Sequence, residues 1–75
     1  MDEISIWFNS HCGGNTRHLT KIWIDKPLTT EETISTINRA FDNYKDSVAD
    51  KYPALSKKAR AEVRKLCYIE SINFC

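Results

Sequence analysis

Ten residues, "NSHCGGNTRH" from Asn9 to His18, hold the side chains best suited to chemistry: His11, Cys12, Arg17 and His18, around the glycine pair Gly13 and Gly14. Three chemistries are open to that set. His11, Cys12 and His18 are ligand types for zinc, and Cys67 or Cys75 would complete a tetrahedron. The spacing argues against it, because neighbouring side chains on an extended chain point apart and no C-x-x-C or H-x₃-H unit occurs. Backbone N–H groups around Gly13 and Gly14, with Arg17 as counter-charge, would cradle an anion. Phosphate loops, however, lead from a strand into a helix N-terminus, whereas this segment leads into a second strand. Cys12 with His11 or His18 is the one nucleophile–base pairing on offer, and it would need a third group to orient the histidine inside a shielded pocket. A hairpin tip supplies neither. The expectation is a protein with no catalytic residues, metal or cofactor, whose loop simply turns the chain.

The elements around the loop follow from periodicity. Ile4, Ile6 and Phe8 alternate with Ser5, Trp7 and Asn9, and Ile22 and Ile24 alternate with Lys21, Trp23 and Asp25, so both runs read as strands. Gly13, Gly14 and Asn15 between them tolerate the backbone angles of a hairpin turn. A register centred on Asn15 sets Ile6 against Ile24, Phe8 against Ile22, and Trp7 against Trp23 on the opposite face. Thr29 reads as a helix N-cap with Glu32 closing a capping box. Ile34, Ile37, Phe41, Tyr44, Val48 and Tyr52 then form one apolar stripe that ends at Pro53. Ser56 caps a second helix with Leu55, Ala59, Val63 and Leu66 inward and Cys67 at its margin. The closing "CYIESINFC" reads as a third strand through Ile72 and Phe74; Ile69 breaks the alternation, which a bulge near Glu70 repairs.

The expected architecture is a single α+β domain over residues 1–75, ββααβ, with a three-stranded antiparallel sheet in the order 1-2-3 and both helices on its aliphatic face. A chain of 75 residues buries only about 60% of the surface its unfolded form exposes, which disfavours an elaborate active site. No apolar run is long enough to span a bilayer. Met1-Asp2-Glu3 lacks the basic start and apolar run of a secretory signal, and the cysteines are odd in number, so a reduced, cytoplasmic protein is expected.

Function then rests on surfaces. With net charge +1 there is no global field, only local patches. Lys57, Lys58, Arg60, Arg64 and Lys65 form a basic side of the second helix, opposite its apolar residues, and Asp42, Asp46 and Asp50 an acidic, solvent-facing side of the first. Trp7 and Trp23, with Leu19 at one end and Lys21 and Arg17 nearby, lie on the sheet face that the helices leave open, where exposed aromatics mark a partner surface. His11, Cys12, Arg17 and His18 become rim contacts. The leading expectation is a small non-enzymatic binding protein, a modulator or inhibitor of another protein or protein–nucleic acid complex. Phage and mobile-element inhibitors of host defence or transcription complexes are often this small, which is a base-rate placement. The alternative is a nucleic-acid-binding regulator using the basic helix side, with Arg17 and Lys21 as further phosphate contacts. Open sheet edges also admit a homodimer.

Overall fold

The period-two and period-3.6 patterns are realised as β1 (Glu3–Ser10), β2 (His18–Trp23), α1 (Thr30–Asp50), α2 (Lys57–Lys65) and β3 (Cys67–Phe74). The computed structural model describes residues 3–12 and 16–75. The turn assigned to Gly13, Gly14 and Asn15 lies outside the described residues. The expected α+β domain is observed, with a three-stranded antiparallel sheet and both helices packed on its aliphatic face.

The strand order differs from the expected 1-2-3: it is β2-β1-β3, with β1 in the centre. Ile4, Ile6 and Phe8 are all fully buried, and a strand whose whole inward face is sealed needs a neighbour on each side. The αα connection crosses the sheet from β2 and delivers β3 to the far side of β1, where Ile69 and Ile72 meet Phe8 and Ile6. The bulge expected near Glu70 is present. Trp7 pairs with Ser71 but Phe8 pairs with Ile69, so Glu70 is the extra residue and inward alternation resumes on both sides of it.

The hairpin register also differs from a centre on Asn15. Trp7 pairs with Leu19 and Trp23 with Glu3, while Ile4 meets Ile22, Ile6 meets Thr20 and Phe8 meets His18. The indoles are therefore not opposite one another. The slip is an even number of residues, which leaves every side chain on its expected face, so hydrophobic alternation cannot tell the two registers apart. Polar contacts beyond the strands tie the returning chain. Thr16 is buried, its hydroxyl donates to Asn9 Oδ1 at 3.1 Å, and its carbonyl accepts from the Tyr44 hydroxyl at 2.5 Å.

Of the α1 stripe, Tyr44 and Val48 are buried and Ile37 and Phe41 partly so, whereas Ile34 and Tyr52 are 54% and 37% exposed. The stripe is sealed where it meets Phe8, whose ring stacks with Phe41 at 5.6 Å and Tyr44 at 5.0 Å between centroids. α1 begins with the expected capping box: Glu32 N–H donates to Thr29 Oγ1 and Thr29 N–H to Glu32 Oε1, each at 3.1 Å. These Thr29 donors hold the Glu32 carboxyl below its ordinary range, so its contribution is present above that range and lost as pH falls. Thr29→Ala is expected to lower stability by about 1 kcal/mol, measured by urea unfolding. Ser56 caps α2 by accepting from Ala59 N–H at 3.2 Å. No helix among the described residues is long and apolar enough to cross a membrane.

Candidate partner-binding surface

Alternation along the sheet sends Ser5 and Trp7 of β1, Leu19, Lys21 and Trp23 of β2, and Tyr68 of β3 to the face opposite the helices. The two indoles differ in setting. Trp23 is 73% exposed. Trp7 is half-buried beneath Arg17, whose guanidinium carbon stands 3.9 Å from the ring centroid. Arg17 is itself held there, its Nε donating to Glu70 Oε2 at 2.9 Å. The bulge thus has a second effect, since the extra residue of β3 carries the carboxylate that anchors a cation over Trp7. Tyr68 covers neither indole; it stacks with His11 at 4.7 Å. Leu19 is half-buried and Lys21 is exposed. The face is an aromatic strip with one free indole at the Glu3 end and a clamped one at mid-sheet.

The loop residues that suggested chemistry are separated by the fold. His11 belongs to the Tyr68 stack, with its N–H donating to Leu66 O at 3.0 Å. Cys12 lies with Tyr52, Leu55, Val63 and Leu66 in an apolar hollow beside α2. His18 faces α1 near Asn43 and Ser47. Among the described residues, no hydrogen bond joins Cys12 to either histidine, and no three His, Cys, Asp or Glu side chains converge as a metal ion requires. Burial, and then the neighbouring Cys12, pushes the Cys67 thiol up, which leaves it a weak nucleophile. All three cysteines are unpaired.

The acidic and basic helix sides meet instead of facing away. Arg64 pairs with Asp46, and Arg60 with Asp50 at 2.6 Å while also donating to Ala49 O at 3.1 Å. Lys65 reaches Glu62 at 3.4 Å within α2, and Asp42 pairs with Lys45 at 3.1 Å. Arg60 and Arg64 therefore point along the α1–α2 seam and not, as expected, away from the apolar side of α2. Lys57 and Lys58 remain exposed to solvent without an ion pair among the described residues. The basic wall that would track a phosphate backbone is reduced to those two, because the others are neutralised by carboxylates of the chain.

No family model, curated protein or solved structure matches the chain. The surface must therefore be read from its own residues. Two that matter were not singled out from sequence. Glu70 was placed as a bulge but not as the anchor of Arg17, and the pairing spans most of the chain, so no local signal marks it. Arg39, on the polar side of α1, becomes notable only once β2 is known to be an edge strand.

Proposed function

We propose that this protein is a small non-enzymatic binding protein that modulates or inhibits a macromolecular partner, using the sheet face opposite its helices. One observation carries the reading: Trp23, 73% exposed, stands on a face that none of the described elements covers. An indole costs little rotamer entropy to immobilise and contributes large contact area, which is why tryptophan is enriched among residues that dominate interfaces. Trp7 under its Arg17 clamp, with Leu19 and Lys21 beside it, supplies a pre-ordered neighbour to the free ring. The separation of His11, Cys12 and His18 supports the non-enzymatic part, since a nucleophile and base must be within hydrogen-bond reach. A reducing, cytoplasmic setting accords with three unpaired cysteines.

The test is affinity capture from the native host with wild type and Trp23→Ala. The variant should unfold at the same denaturant concentration within about 0.5 kcal/mol of wild type. Its affinity for the captured partner should fall by about 30-fold, the effect of losing about 2 kcal/mol at a dominant contact. Unchanged capture by a folded Trp23→Ala variant would overturn this use of the face.

A further inference from the structure

We propose that the open edge of β2 and the groove beside it take up an acidic polypeptide segment in extended conformation, added to the sheet as a fourth strand. This goes beyond the tryptophan face, lies on the other side of β2, and does not depend on it. The two edges of the sheet are unequal. β3 is bulged at Glu70, which bends an edge away from pairing, whereas the β1–β2 register is continuous from Glu3↔Trp23 to Phe8↔His18. Alternate residues of an antiparallel edge strand direct N–H and C=O groups outward, and among the described residues no backbone bond outside the sheet engages β2.

Beside this edge, two hollows of about 270 and 330 Å³ share Asn43 and form one groove between β2 and α1. Thr20 and Ile22, the helix-facing residues of β2, form one wall, and Thr36, Arg39 and Ala40 of α1 the other. A strand paired to β2 would send every second side chain into this groove. The ionisable side chains lining it, apart from the buried Tyr44 phenol, are Arg17, His18, Arg39 and Lys51; the Arg17 guanidinium is already held by Glu70 over Trp7 and Lys51 is itself engaged, and no described carboxylate lines either hollow. Arg39 makes no hydrogen bond or ion pair with a described residue. An acidic segment complements that charge. A polypeptide is favoured over a nucleic-acid strand because the edge offers alternating donors and acceptors that a peptide backbone matches and a phosphodiester cannot. Of the two rings lining the groove, Tyr44 is buried against Phe8 and unable to stack a base, which leaves the single imidazole of His18 and no run of stacking platforms.

The probe is an N-acetylated, C-amidated nonapeptide of alternating glutamate and valine, titrated into the full chain and followed by ¹H–¹⁵N NMR. Shifts are expected at β2 amides and at Arg39. Arg39→Glu should weaken binding by about ten-fold or more, whereas Lys57→Glu, the same charge change on α2, should alter it less than about three-fold. The same peptide N-methylated at alternate residues should lose about ten-fold or more, since it cannot complete the ladder. Absence of shifts at β2, equal binding of the N-methylated peptide, or equal binding of a lysine–valine peptide would each overturn the proposal. Stronger binding of an oligo-dT strand at the same amides would overturn it in favour of nucleic acid.

Discussion

Phe8→Ala should leave the protein largely unfolded at ambient temperature, seen as loss of the near-ultraviolet and far-ultraviolet dichroism together. Phe8 is fully buried and stacks with both Phe41 and Tyr44, so truncation removes the contact that joins the central strand to α1. Replacing a buried phenylalanine by alanine costs about 3–5 kcal/mol, part transfer and part cavity. A core in a chain below about 80 residues rarely supplies more than about 3–5 kcal/mol in total. The two quantities are of the same size, so nothing is left to hold the fold. Phe8→Leu, which refills most of the volume, should recover a cooperative transition at reduced stability. A Phe8→Ala variant with wild-type unfolding behaviour would show that the stack contributes little.

Tyr44→Phe carries the second-largest expected effect on stability. The Tyr44 hydroxyl donates to Thr16 O at 2.5 Å in a buried setting, and removing it leaves that carbonyl without its donor. The expected loss is about 1–3 kcal/mol, measured by denaturant unfolding at neutral pH. The same group predicts a pH dependence. Burial raises the Tyr44 phenol above its ordinary value, so the folded state holds this proton more tightly than the unfolded state does. Its contribution is complete below about pH 10 and is lost as pH rises through the raised folded value. Cys67, also pushed up by burial, adds a loss in the same direction beginning near its own lower ordinary value. Wild-type stability should therefore decline with alkali in two legs, and Tyr44→Phe should keep only the first. An unchanged upper leg in the variant would separate the phenol from alkaline unfolding.

What was legible in the sequence was whatever a repeat of two or 3.6 residues encodes. Ile4, Ile6 and Phe8 declared an inward face, Thr29 and Glu32 a capped helix start, and Ile69 against Ile72 a bulge at Glu70. Long-range placement was not legible. Alternation is blind to an even slip, so Trp7 met Leu19 instead of Trp23, and it is blind to strand order, so β1 and not β2 came to the centre. The charged helix sides were found by composition, but their mutual attraction depends on α1 and α2 being antiparallel neighbours, which places Asp46 and Asp50 opposite Arg64 and Arg60. Of the candidate surface, the aromatic residues could be named in advance; the clamp of Arg17 by Glu70 and the β2 groove could not, because each joins segments far apart in the chain.

The central position of β1 also determines how this chain can be divided. β1 is translated before β2 and the helices, yet one of its two flanking strands is β3, and Ile6 has to wait for Ile72. Any fragment that omits β1 lacks the sealed row, and any that omits β2 or β3 lacks one of its flanks, so no smaller unit holds the buried set of Ile4, Ile6 and Phe8. Folding is then all-or-none and slow to begin for so short a chain, because closure of the longest loop precedes the contacts that reward it. A nascent chain carries its future core as an unprotected strand edge until β3 leaves the ribosome.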